Sequence, residues 1–359
     1  MKALIIFVMI NNFALTKNEE TTHYLHEDMI SFINKKDSTW TAGVNFPKNP
    51  TMTELQSLVQ NTTMYDDSKN SALITRDKNY FELVFSVSFD AREKWPGCVN
   101  QPPKQGSCDT SWVLVPLSVI SDRLCIGTNL KKKFTFSEQD VLTCCRKCQQ
   151  GKSICSGGWT SRVWDYWIEN GIVSGGPEGC KPLSNSTTCQ DYCTNKKYPL
   201  SYSGDKYYAA KKYKIPKDSA QIQIELAIYG PVVAQLRVYS DFFVYKEGIY
   251  QHLGGSFVGY HVVKIVGWGV EVGRFYWLCA NTWGMEWGDS GYFKILLGVD
   301  HCGIESNVLT GRDHANFLRH ERILDTDVTQ IMPSNGWKLE PNLIFLMYCA
   351  INISIFVTL

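Results

Sequence analysis

An α+β fold is predicted for the larger part of this chain, on three observations. From Phe85 to about Arg312 the sequence is rich in cysteine, glycine and tryptophan; helix-like runs come first in it; β-branched and aromatic runs divided by Gly-rich turns come later. With 359 residues, 44% of them hydrophobic, the chain can bury a large core. Its formal net charge of +1 gives no electrostatic reason to expect a nucleic-acid partner.

The elements follow in chain order. MKALIIFVMINNFALT pairs Lys2 with an apolar run and the small residue Ala14, which is the layout of a secretory signal over residues 1–16. Residues 17–84 are polar at first, hold no cysteine and carry HEDMISFINKK, where Met29, Ile30, Phe32 and Ile33 predict one apolar stripe on a helix. In SEQDVLTCC, Ser137 is placed to cap a helix at Asp140. VVAQLRVY, HVVKIVGWG, FYWLCANTW and GYFKILLG read as strands. A linker over residues 313–342 leads to an uncharged apolar run at 343–359, preceded by Ser334, Asn335 and Gly336. A glycolipid-anchor signal, a retained membrane segment and a buried helix or hairpin all fit that tail.

Thirteen cysteines occur, ten of them between Cys98 and Cys193. CCRKC and CQDYC could hold zinc in a reducing compartment, but a secreted chain favours disulfides, so neither metal nor cofactor is expected. Asn61 and Asn185 open glycosylation acceptor triplets.

Three residues carry the chemistry. A nucleophile at a helix start gains from the positive end of the helix dipole, a facing histidine can take its proton, and a side-chain amide can orient that histidine. Ser111, His261 and Asn281 are those types. Singly, each has an ordinary alternative as a helix-start hydroxyl, a strand histidine and a turn former.

Together, and with QGSC, SDRLCI, LTCC, SGG, GIVSGG, VYSDFFVYKEGIYQH, GWG, YWLCANTWG, WGDSGYFKI and DHCGIES in one order, they give the stretch 85–312 a resemblance to the papain family of cysteine peptidases, cathepsin B-like members above all. STWTAGVNF looks like the propeptide of such a zymogen, which blocks the cleft. The resemblance implies a two-lobed papain-like fold, one lobe helical and one β-rich, with Gln105 at the oxyanion hole, Ser111 at the nucleophile position, His261 as general base and Asn281 orienting it. It further implies that Trp283 shields that pair and that Gly157 and Gly158 present backbone to a peptide. By the same likeness the bridges run Cys98–Cys125, Cys108–Cys155, Cys144–Cys189, Cys145–Cys148 and Cys180–Cys193.

The departures from the family pattern matter equally. Serine replaces the nucleophilic cysteine, and a hydroxyl is a far weaker acid than a thiol. Asp109 stands where glycine is expected, Pro116 sits inside the helix and predicts a kink, and Tyr260 replaces a glycine and should crowd the cleft. Between Cys180 and Cys193 the paired histidines of the occluding loop are missing, and Asn307 takes the place of a glutamate at the base of the S2 pocket. The expectation is a secreted, lysosomal or surface-anchored homologue that has lost catalysis and binds peptides, protein partners, its own propeptide or cystatin-like inhibitors in the cleft. A weak endopeptidase using Ser111 and a structural glycoprotein are the alternatives.

Overall fold

Strands and helices segregate along the chain because their side-chain patterns do. The structure, a computed structural model, describes residues 20–46, 50–61, 63–65, 73, 86–151 and 153–313. The signal segment, nearly all of the linker and the apolar tail lie outside them. No helix among the described residues is long and apolar enough to cross a membrane.

The helical lobe is built around α4 (Ser111–Gly127), with α5 (Glu138–Cys144) and α6 (Thr160–Asn170) packed on it. Nearly every residue of α4 is buried, so the helix runs through the core rather than over it. Pro116 does not break it: the helix continues from Ser111 to Gly127. Proline removes the amide that would bond the Trp112 carbonyl, and that carbonyl instead accepts the Thr160 hydroxyl at 3.2 Å. Ser137 caps α5 as its sequence implies, accepting from the Asp140 amide at 3.0 Å.

The other lobe is a nine-stranded sheet. Its strands are β1 (Trp40–Ala42), β2 (Phe89–Asp90), β3 (Ala209–Ile215), β4 (Val232–Tyr239), β5 (Tyr245–Tyr250), β6 (Phe257–Glu271), β7 (Arg274–Ala280), β8 (Tyr292–Leu296) and β9 (Val308–Asp313). The order is β1-β5-β8-β7-β6-β4-β9-β3, with β2 also paired to β6. The 15-residue β6 serves β4 through its first part and β7 through its second, with Leu236 opposite His261 and Ala280 opposite Lys264. A short helix α3 (Ala91–Lys94) follows β2, and α7 (Ser219–Tyr229), capped by Asp218, precedes β4.

The N-terminal segment is part of this architecture. Helix α1 (Glu20–Asn34) buries Ile33 against the sheet lobe, but Phe32 leaves the predicted stripe: it is 43% exposed, with the Lys36 ammonium 4.2 Å from its ring centroid. Strand β1 then adds to the sheet edge beside β5, and Trp40 packs on Tyr245 and Tyr250. Asn45 donates to the carbonyls of Phe243 and Tyr245 and accepts from the Gly288 amide. Helix α2 (Met52–Gln56) starts on a reciprocal cap between Thr51 and Glu54. After it, Leu58 and Val59 enter the core of the sheet lobe and Met64 enters the core of the helical lobe. The segment therefore crosses the boundary between the two.

Five disulfides join the pairs named above: Cys98–Cys125, Cys108–Cys155, Cys144–Cys189, Cys145–Cys148 and Cys180–Cys193. No cluster of residues suited to a metal ion occurs among the described residues. Cys279 and Cys302 carry free thiols.

A buried ion pair ties α4 to α7. Arg123 Nη1 lies 2.9 Å from Glu225 Oε1, with 3% and 1% of the side chains exposed, and the same guanidinium donates to the carbonyls of Gly230 and Pro231. The Tyr213 hydroxyl also donates to Glu225. Arg123→Met strands a desolvated carboxylate and should cost about 3–5 kcal/mol, while Arg123→Met combined with Glu225→Leu should recover most of that loss. Urea denaturation of the three proteins checks this; equal losses in the single and double variants would contradict it.

Candidate active site

Ser111 is the first residue of α4, and the loop before it is fixed on two sides. The Cys108–Cys155 disulfide ties it to the segment carrying Ser156–Gly158, and Asp109 forms a parallel bridge with Ser156. Gly158 has no room for a side chain, since a Cβ there would fall 2.3 Å from the Trp112 ring. The backbone thus sits directly against the start of α4.

His261 comes from β6 and Asn281 from the residue after β7, neighbouring strands in the sheet. His261 Nε2 lies 2.8 Å from Asn281 Oδ1, which also accepts the Thr282 amide at 2.7 Å. The Trp283 ring covers the histidine, 4.7 Å between centroids. Both His261 and Asn281 are fully buried. Burial pushes the imidazole down to about 4 against a smaller upward pull from Asn281, so the ring is neutral at physiological pH.

The hydroxyl of Ser111 does not meet that ring. It donates to Asp109 Oδ1 at 2.9 Å, and His261 Nδ1 has no hydrogen-bond partner among the described residues. Asp109 is 3% exposed, and burial pushes its carboxyl up to about 7 although the Ser111 hydroxyl and amide both pull it down. Asp109, which stands where the family pattern has glycine, is thus the acceptor of the serine hydroxyl's hydrogen bond.

Gln105 lies beside them. Its Oε1 accepts from the Thr282 hydroxyl, and its Nε2 donates to the Leu58 carbonyl at 3.1 Å. Two residues later Gln60 exchanges both backbone hydrogen bonds with Tyr260, each 2.7 Å. This close approach depends on Gly259, where a Cβ would lie 2.6 Å from the Gln60 carbonyl oxygen. Tyr260 does not close the cleft against a chain, because its backbone is what the chain pairs with while its ring packs edge-on against Phe257. The antiparallel bridge made by the N-terminal segment lies on Tyr260.

Asn307 lines a neighbouring cavity of about 340 Å³ with Thr63, Gln235, Arg237 and Tyr260. The Gln235 side chain accepts the Met64 amide at 3.2 Å. Thr282, Leu58, Gln60 and Gln235 escaped the sequence reading: Thr282 could have been found beside Asn281, whereas nothing local distinguishes the others.

Comparison with known proteins agrees with this geometry. The family described as papain family cysteine protease matches residues 85–312, and the peptidase family C1 propeptide matches residues 25–59. The chain is 34% identical to cathepsin B-like cysteine proteinase 4 of Caenorhabditis elegans over 79% of its own length and 91% of that protein. It is 32% identical to a cathepsin B-like cysteine proteinase of Schistosoma japonicum over 85% of its length and 96% of the relative. Among solved structures, procathepsin B S9 of Trypanosoma congolense superposes with a TM-score of 0.72 at 32% identity, covering 80% of this chain and 98% of that one.

The two displaced pKa values oppose each other. His261 falls from 6.5 to about 4, so its contribution to stability is complete above pH 6.5 and is lost as pH drops through 4. Asp109 rises from 3.8 to about 7, so its contribution is complete below pH 3.8 and is lost as pH climbs through 7. Asp109→Asn should therefore gain stability relative to the parent as pH goes from 4 to 7, and His261→Gln should show the reverse slope. Thermal denaturation across that range checks both signs.

Proposed function

The chain belongs to the papain family of cysteine proteases, and we propose that it is a catalytically silent cathepsin B-like member which uses its retained cleft to bind an extended peptide or protein segment. One observation carries this reading: the Ser111 proton goes to Asp109 while the imidazole nitrogen left over from Asn281 goes unused.

The chemistry follows from that arrangement. A cysteine enzyme of this kind rests on a thiolate paired with an imidazolium. A serine hydroxyl has no appreciable anionic fraction at neutral pH and needs the base in contact with it. Here the base is neutral but bonded elsewhere, and the residue orienting it is an amide, which cannot stabilise an imidazolium as a buried carboxylate does. Asp109 adds a carboxyl group beside the helix start, where a developing anion would otherwise gain from the dipole.

Binding makes no such demands. Gln105 Nε2 already holds a carbonyl, and the edge at Tyr260 already pairs with an extended backbone. The chain's own prosegment is the first occupant, and a partner that replaced it would use the same two contacts. The N-terminal and C-terminal sequences fit a secreted, membrane-tethered version of such a binder.

Incubation with peptide substrates should give turnover indistinguishable from that of Ser111→Ala. Ser111→Cys should restore at most part of a protease's activity, because Asp109 and the neutral His261 remain. Peptide cleavage that Ser111→Ala abolishes would overturn the inert reading. Retained cleft occupancy in every one of these variants would separate binding from catalysis.

A further inference from the structure

Four buried polar atoms, on three side chains that border Gly157, have no hydrogen-bond partner among the described residues. They are both amide atoms of Gln60, Asp109 Oδ2 and Gln150 Nε2. A Cβ built on Gly157 would lie 3.3 Å from Asp109 Oδ2, 3.3 Å from Gln150 Oε1 and 3.8 Å from Gln60 Cγ. Gly157 is left-handed, with φ of +83°, and its carbonyl accepts the Gln150 amide at 3.2 Å. Polar side chains thus border the bare face of this glycine.

The unpartnered groups match in number and type. Gln60 brings one donor and one acceptor, Asp109 Oδ2 is an acceptor and Gln150 Nε2 is a donor. Gln60 and Asp109 are only 2% and 3% exposed, so an unmet partner at either is costly. Rotation of the Gln60 amide plane exchanges its oxygen and nitrogen at little cost. The backbone on both sides of Gln60 is meanwhile fixed by the Tyr260 bridge.

We propose that Asp109, Gln150 and the face of Gly157 form a subsite that reads a carboxamide side chain, so that the cleft selects an extended segment carrying glutamine at the residue paired with Tyr260. This rests on the reading of the cleft as a peptide-binding groove. With its amide plane turned, Gln60 would be the resident ligand, Nε2 donating to Asp109 Oδ2 and Oε1 accepting from Gln150 Nε2. A glutamate there offers no donor to Asp109, and a leucine leaves both protein groups unmet. An asparagine is one carbon too short to reach both.

Hydrogen–deuterium exchange of the full chain tests this, with residue 60 itself as the probe. Exchange of segment 57–61 is followed in the parent, Gln60→Leu, Gln60→Glu, Gln60→Asn and Gln150→Ala, with α4 as an internal monitor of the fold. Gln60→Leu and Gln60→Glu should each speed exchange of that segment about ten-fold, the loss of roughly one buried hydrogen-bonded group, with α4 unchanged. Gln60→Asn should fall between them and the parent, and Gln150→Ala should add nothing once Gln60 is Leu. Equal protection in all variants would overturn the carboxamide subsite while leaving the groove intact. A parent segment that exchanges as fast as unstructured chain would overturn the groove itself, and the subsite with it.

Discussion

A serine hydroxyl has one proton to donate, and at Ser111 that proton is held by Asp109. The consequences run outward from this bond. It engages Oγ with Asp109 rather than His261, leaves the imidazole coupled only to its orienting side, and requires a carboxyl group to be buried beside the first turn of a densely packed helix. The disulfide between Cys108 and Cys155 and the bridge from Asp109 to Ser156 hold the loop so that the pair persists. The hydroxyl at the start of α4 is thus engaged by a buried carboxyl group.

The frame around that bond is still one built to clamp a chain. The prosegment contributes β1 to the sheet edge, a reciprocally capped turn of helix, a carbonyl to Gln105 and a two-way backbone bridge to Tyr260. Its apolar residues Leu58, Val59 and Met64 finish two separate cores. Such contacts depend on shape, backbone pairing and burial rather than on a nucleophile.

Much of this was legible in the sequence. The long β-branched runs of β4 and β6, the Ser137 cap and the positions of His261 and Asn281 follow from local patterns and their order, because strand and cap signals act over a few residues. Pro116 gives no hint of how its lost hydrogen bond is made good, since the Trp112 carbonyl accepts from Thr160, more than forty residues away along the chain. Phe32 belongs to the apolar pattern of α1 yet lies outside its buried face. Gln60 carried no signal at all: its meaning depends on Tyr260, Asp109 and Gly157, which only the folded chain assembles.

A serine-directed phosphonylating reagent asks the central question directly, because it reacts only with a hydroxyl activated by a neighbouring base. Intact mass and peptide mapping would be recorded for the full chain, and again after limited proteolysis has opened the prosegment. The expected result is no adduct at Ser111 in either state. An adduct at Ser111 that disappears in His261→Ala would show the hydroxyl and imidazole acting together, and would contradict the account.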